Sequence, residues 1–219
     1  MNTEAISKFQ HTFSQNPLNR GETERRDEQW ISDQEHNAKS KFMVLHNLNI
    51  LVEENDGAKS IAWLSQDEIK NLTYQERPVL LGIQYDITHF AISISEESAT
   101  FICTDARYEF LDARTCAGLV APESTGIIAQ ARIQINWHQK NKFCSVCGKP
   151  NNIFRGGQVL RCSSCKNETF PRTDPVIIMV VTDKNRCLLG QSRGRLSQTN
   201  TYSALAGFMD QGESIEEAV

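Results

Sequence analysis

KFCSVCGKPNNIFRGGQVLRCSSCK, residues 142–166, holds four cysteines in two tight pairs. The spacing is Cys144-x2-Cys147-x14-Cys162-x2-Cys165. Two residues between cysteines let one tight turn aim both thiolates at a point. Two such turns complete a tetrahedral four-sulfur site, which is what Zn2+ takes. Gly148 follows the first pair and can adopt the positive φ such a turn asks for; Asn167 is expected to play a similar part after the second. The insert between the pairs suits a hairpin bending at Gly156-Gly157. Four unmetallated thiols and a rubredoxin-like iron site share this spacing, and structural zinc is the reading the paired spacing favours. A full four-sulfur site is closed, so it holds structure and does not catalyse. Lys140, Lys142, Lys149, Arg155, Arg161 and Lys166 give this block a modest basic excess, read as a solvated surface ahead of a nucleic-acid face.

The remaining three cysteines, Cys103, Cys116 and Cys187, stand singly in apolar stretches and are expected to be small core residues. An odd count of seven, with no apolar signal segment at the start, argues against a disulfide framework and for an intracellular, reducing compartment. A net charge of −4 gives no non-specific grip on nucleic acid or anionic membrane. No run approaches the ~18 apolar residues of a membrane span.

Working back from the block, PESTGIIAQARIQINWHQK reads as a helix. Ile127, Ile128, Ala131 and Ile135 share one face, and Pro122 and Ser124 suit its first turn. FMVLHNLNILVE and RPVLLGIQYDITHFAISIS carry strand signals, the second alternating through Phe90, Ile92 and Ile94. Ser65-x-x-Glu68 is a capping-box pattern that predicts a short helix. ATFICTDARYEFLDAR predicts a strand and a turn. Residues 1 to about 38 are polar and charge-crowded, an extended lead-in with a turn at Asn16-Pro17 that Phe13, Leu18 and Trp30 can order by packing. Working forward, Val176 to Val181 is a continuous apolar run, predicting a strand covered on both faces, with TDKN as a turn and RCLLGQ returning as its partner.

The closing stretch, LAGFMDQGESIEEAV, places Gly207 and Glu213 six apart, a common approach to phosphate or metal. Together with NPLNR, FCSVCGKP and CSSCKNETFPRTDPVIIMVV, in that order, it resembles the NADH pyrophosphatase branch of the Nudix hydrolases. Gly207 and Glu213 match the first two fixed positions of the Nudix box, G-x5-E-x7-R-E-U-x-E-E-x-G-U, with U apolar.

The resemblance implies an α+β chain: a strand-rich N-terminal domain, a four-cysteine zinc ribbon and the start of a Nudix α/β/α sandwich. The expected boundaries are a lead-in at 1–38, an N-terminal domain at 39–138, the ribbon at 139–170 and an N-terminal part of a Nudix domain at 171–219. It also implies Mg2+- or Mn2+-dependent hydrolysis of NADH or NAD+ to nicotinamide mononucleotide and AMP, with NAD-cap removal from RNA in some members. A homodimer in the cytoplasm or peroxisome is implied as well. Residue by residue, the backbone of Ala206 corresponds to a metal-shell carbonyl, and Phe170 and Phe208 to aromatics that stack on dinucleotide bases. A core aromatic anchoring the ribbon is an equal reading of Phe170. Arg114 is a candidate substrate contact, and Arg172 and Asp174 are expected to lock the ribbon to the Nudix strand.

Seven spacer residues after Glu213 put the box Arg at position 221 and the next Glu at 222, past Val219. The metal-ligating glutamates are therefore absent from this sequence, and Glu216 and Glu217 are spacer residues read as solvated charges. The expectation is a truncated chain that binds zinc and does not turn over substrate. The rival expectation is a non-catalytic zinc-ribbon module for dimerisation or partner binding.

Overall fold

The computed structural model describes residues 11–74, 76–191, 198 and 200–219. They fall into two compact units, Met1–Pro171 and Arg172–Val219.

The first unit is organised by a mixed sheet of β1 (Lys41–His46), β2 (Asn49–Asn55), β3 (Ala58–Ile61), β4 (Trp63–Ser65), β5 (Val79–Gln84), β6 (Ile87–Ser93) and β7 (Tyr108–Leu111). The order is β3-β2-β1-β6-β5, with β4 also on β1 and β7 also on β2. β1 and β6 run parallel, and the other pairs are antiparallel. The β1–β2 and β5–β6 hairpins turn on two residues with positive φ, Asn47-Leu48 and Tyr85-Asp86. This is the turn whose twist matches paired strands.

Alternation within these strands feeds two cores. Met43, Leu45, Val79, Leu81 and Ala91 pack on one face with Ile127, Ile128, Ala131 and Ile135. Phe42, Val44, Leu80, Phe90 and Ile92 pack on the other with Ile31, Ile69, Ala99 and Ile102. The Ile127 set belongs to the expected helix, here Pro122–Lys140 with Pro122 in its first turn. The second core is closed by three shorter helices: α1 (Glu28–Glu35), α2 (Gln66–Ile69) and α3 (Glu96–Ile102). Numbering onward, α4 is Ala113–Ala117 and the long helix is α5. Both halves of the Ser65/Glu68 capping box form at α2.

Three expectations for this unit are corrected. ATFI is the end of α3 and not a strand: the Ser95 side chain caps the Ser98 N–H, Glu96 and Glu97 fill the first turn, and Ala99 and Ile102 turn into the core. A local cap and an i,i+3 apolar pair outweigh the strand propensity of Thr100 and Phe101. The lead-in is not extended throughout, because Asp27 accepts from Gln29 N and Trp30 N and starts α1. Ahead of α1, Leu18 is buried, and Asn19 exchanges backbone hydrogen bonds of 2.9 and 2.8 Å with Ile83. Of the single cysteines, Cys116 is buried as expected, while Cys103 and Cys187 are exposed. Cys103 follows the last residue of α3, where the chain leaves the core.

The second unit has two strand pairs, β11 (Val176–Met179) with β14 (Leu205–Phe208), and β12 (Val181–Asp183) with β13 (Arg186–Leu188). Strands β8 to β10 belong to the cysteine block and are given below. RCL returns against VTD as expected. The apolar run, however, is two strands, and only Ile177 is buried in it. Val176 and Ile178 are exposed because the described residues of this unit add only the one-turn helix α6 (Ile215–Ala218) to those strands, too little to cover both faces. Among the described residues, no helix is long and apolar enough to cross a membrane.

His138, in the last turn of α5, is buried, and its Nε2 donates to the Gly157 carbonyl at 2.8 Å. Burial pushes its pKa below the ordinary value, against smaller raising effects of that hydrogen bond and of Glu76. The sign follows. The unfolded chain takes up the proton first, so the stability held by neutral His138 is present above the unfolded pKa of about 6.5 and is lost as pH falls through the lower folded value. His138→Gln keeps a donor for Gly157 and removes the titration. Unfolding free energies from urea titrations should fall less in the variant between pH 7.5 and 5.5, by up to about 1.4 kcal/mol, because one pH unit of that interval lies below the unfolded pKa. His89, also lowered by burial, and the cysteine thiolates act equally on both proteins.

Candidate functional site

The two cysteine pairs converge. Cys144 Sγ lies 3.6 Å from Cys165 Sγ, Cys147 Sγ lies 3.4 Å from Cys162 Sγ and 3.5 Å from Cys165 Sγ, and all four sulfurs are within 4.8 Å of one another. Tetrahedral zinc with bonds of about 2.3 Å sets its sulfurs about 3.8 Å apart. A disulfide would need about 2.05 Å. The donor set therefore fits Zn2+.

The local backbone explains the convergence. In each knuckle an N–H two residues on points at the first sulfur: Val146 N to Cys144 Sγ and Ser164 N to Cys162 Sγ, both 3.4 Å. Donation from the backbone of Cys147, then Val146, lowers the Cys144 thiol below its usual range, toward the thiolate a metal requires. Gly148 has φ +71°, as expected. After the second pair the positive φ falls on Lys166, not Asn167, whose carbonyl instead accepts from Cys162 N at 2.9 Å. One hairpin carries the site, with β8 (Asn151–Phe154), β9 (Val159–Cys162) and β10 (Glu168–Thr169) in the order β10-β9-β8.

The hairpin bends at Arg155–Gly157 and rests on the N-terminal sheet. Gly156 has φ +57°, and a Cβ there would lie 2.7 Å from Leu80 Cβ, so the bend accepts no larger residue. Arg25, 1% exposed, fills the space beneath. Its Nη2 donates to Leu80 O at 2.5 Å, its Nη1 to Gly156 O at 3.2 Å, and its Nε to Arg20 O at 2.5 Å. Burial lowers its pKa to about 10, so it stays cationic at neutral pH. Glu28 adds a second tie, accepting from Arg155 N and from Arg77 Nη1, each at 2.6 Å. Sequence reasoning missed both residues, because ETERRDE reads as surface charge. The signal available was NPLNR directly upstream, which marks the segment as more than an arm.

The remaining expected residues separate into two places. In the first unit, Phe170 is 54% exposed, so it is not a core aromatic; it walls a cavity of about 320 Å3 with Arg20, Gln130 and Arg155. Arg114 lies exposed on α4 and is not among the residues lining that cavity. In the second unit, Phe208 is exposed on β14 and borders a cleft of about 470 Å3 together with Arg172, Asp174 and Asp210. Ala206 sits opposite Ile178 in the β11–β14 pair. Glu213 closes the loop after β14 by accepting from Asp210 N at 2.8 Å, with Gly212 at φ +93°. Glu217, expected as a solvated charge on a helix, is exposed and also forms a capping box with Ser214 at the start of α6.

A mixed sheet with helices on both faces is followed by a ribbon whose four sulfurs fit zinc. Residues 39–137 match the family model described as the NADH pyrophosphatase-like rudimentary NUDIX domain, and residues 139–170 match the NADH pyrophosphatase zinc ribbon domain. The chain belongs to the NADH pyrophosphatase branch of the Nudix hydrolases. It is 28% identical over a 259-residue alignment to the human NAD-capped RNA hydrolase NUDT12, covering 99% of this chain and 56% of that protein. It is 33% identical over 153 residues to the chloroplastic Nudix hydrolase 19 of Arabidopsis thaliana (64% of this chain, 34% of the relative). It is 28% identical over 196 residues to the mouse mitochondrial NAD(P)H pyrophosphatase NUDT13 (81% and 55%). The chain thus spans about half the length of the curated relatives it matches.

Proposed function

We propose that these residues serve an NAD(H) diphosphatase, which hydrolyses the diphosphate of NADH or NAD+ to nicotinamide mononucleotide and AMP and acts on NAD-capped RNA. The observation that carries this reading is the ribbon of the NADH pyrophosphatase type together with, further along the chain, β14 and its loop, which hold the first two fixed positions of the Nudix box, Gly207 and Glu213. The names of the relatives support the substrate.

In this proposal the chain divides at 1–38, 39–138, 139–170 and 171–219. Cys144, Cys147, Cys162 and Cys165 hold structural zinc. The exposed rings of Phe170 and Phe208 offer flat faces for a base. The carbonyl of Ala206 would help hold a catalytic Mg2+ or Mn2+, which would neutralise diphosphate charge and activate water. Glu213 organises the loop leading to that carbonyl through Asp210 N. Arg114 is retained only as a remote substrate contact. A homodimer and an intracellular site complete the proposal.

The test is AMP release from NADH with Mg2+, followed by chromatography, for a protein whose sequence continues through the R-E-x-x-E-E segment, beside the 219-residue chain. AMP from the longer protein alone is expected. No AMP from the longer protein would overturn the proposed activity. Turnover by the 219-residue chain would overturn the assignment of the metal to that segment. Light scattering on a sizing column tests the dimer.

A further inference from the structure

The four sulfurs of the ribbon are not equivalent. Cys144 and Cys162, the first of each pair, are buried, and the knuckle N–H groups of Val146 and Ser164 point at them. Cys147 and Cys165, the second of each pair, are exposed and sit in turns outside the strands. Solvent therefore meets one sulfur from each knuckle, and those two lie 3.5 Å apart. A peroxide reacts with the sulfur it can reach, and a second sulfur beside the first decides what the product becomes.

Geometry chooses the partner. Cys147 Sγ has two close neighbours across the ribbon, Cys162 at 3.4 Å and Cys165 at 3.5 Å. Cys162 is 1% exposed and ends β9, where it pairs with Asn151 of β8 and its N–H donates to Asn167 O. Drawing its sulfur to bonding distance would pull on the strands that carry the site. Cys165 lies instead in the turn between β9 and β10, and Cys147 in the turn of the first knuckle. A disulfide of about 2.05 Å needs the exposed pair to close by about 1.5 Å, a shift that two turns can share.

We propose that Cys147 and Cys165 are a reversible oxidation site, joined as a disulfide by a peroxide, and that this step empties the ribbon of zinc. The Cys147 thiolate attacks one peroxide oxygen; the O–O bond breaks, leaving a sulfenic acid and a hydroxide that takes a proton to become water. The Cys165 thiolate then attacks the Cys147 sulfur; the S–O bond breaks, and the second hydroxide leaves and is protonated. The two sulfurs give two electrons to one peroxide, which departs as two waters. Cys144 and Cys162 are then two ligands where tetrahedral zinc takes four, so the metal is lost. The cross-link keeps the knuckles together meanwhile, and reduction returns the four-sulfur set. The site rests on the four sulfurs and not on the diphosphatase reading.

The test uses the zinc-loaded 219-residue chain carrying Cys103→Ser and Cys187→Ser, which removes the two exposed thiols outside the ribbon. Hydrogen peroxide is added, released zinc is followed with a colorimetric chelator, and the chain is alkylated and digested with trypsin without reduction. Cleavage after Lys142, Arg155, Arg161 and Lys166, with the Lys149-Pro150 bond resistant, puts Cys147 on peptide 143–155 and Cys165 on peptide 162–166. One zinc released per cross-linked chain is expected, with the two peptides joined. Fragmentation should place the bond at Cys147 and Cys165 and the alkyl groups on Cys144 and Cys162. A phosphine reductant and added Zn2+ should restore full zinc content. If the double variant loads less zinc than the wild type, the wild-type chain is read by the same two peptides, since Cys103 and Cys187 lie on others. Zinc retained under peroxide, a bond inside each knuckle that leaves the peptides separate, or a bond through Cys144 or Cys162 would overturn the proposal. So would sulfinic or sulfonic acids that the reductant does not reverse.

Discussion

Cys147→Ser is expected to abolish stoichiometric zinc and unfold residues 142–170. Cys147 is exposed, so the serine disturbs no packing; what it removes is one of four sulfurs that lie within 4.8 Å of one another. Structural zinc in small ribbons is worth on the order of 10 kcal/mol, comparable with the whole stability of a domain, about 5–15 kcal/mol. Within itself the ribbon has little else to hold it: three short strands, with Cys144, Val159, Leu160 and Cys162 as its buried apolar side chains. The damage should then spread, because the bend at Gly156-Gly157 supplies the carbonyls that receive Arg25 and His138. Plasma emission would give zinc per chain, and limited proteolysis would report new cleavage within 142–170. Chelation of the wild-type protein should reproduce the proteolytic pattern. Zinc content and melting temperature both surviving the substitution would remove the metal from the account.

The zinc ribbon was legible because its information is local. Two C-x2-C turns and a glycine pair determine where the sulfurs point, whatever the rest of the chain does, and Gly148 and Gly156 take the positive φ that the spacing asks for. The Pro122–Lys140 helix was legible for the same kind of reason: one apolar face and a proline in the first turn. Reading failed where two local signals competed. Thr100-Phe101-Ile102 looks like a strand, yet Ser95 three residues before Ser98 had already offered a cap. Asn167 looked like the turn residue, but its carbonyl was needed by Cys162 N, and Lys166 took the strained φ.

The cavity was less legible than the metal site, for a different reason. Its arginines, Arg20 and Arg155, are 135 positions apart in sequence and meet only because the lead-in and the ribbon pack against the same sheet. Phe170 could be named from its motif, but its partners could not. Arg114 was chosen by the same route and lies away from the cavity lining. Charge-rich stretches such as NRGETERRDE give no periodicity that separates a surface arginine from a buried one; only the tertiary acceptors do.

Arg25 shows how much rests on that distinction. Arg25→Met keeps an apolar stem of the side chain and removes the guanidinium. The carbonyls of Leu80 and Gly156 then lose a buried donor, and Arg20 O loses the Nε contact. Each unsatisfied buried carbonyl costs about 1–3 kcal/mol, so the variant should lose about 3–5 kcal/mol, in the range seen when a buried charged network is broken. Arg25→Lys should recover little, because one ammonium cannot reach carbonyls on three sides in the way a planar fork does. Urea unfolding followed by tryptophan fluorescence measures this directly, since Trp30, Trp63 and Trp137 all lie in the first unit. The tie is between the ribbon bend and β5, so proteolysis should open the ribbon at lower urea than the wild type while zinc stays bound. A loss below about 0.5 kcal/mol, the usual limit for a surface substitution, would mean that the guanidinium is hydrated and that the ribbon is held by zinc, His138 and the Glu28 tie.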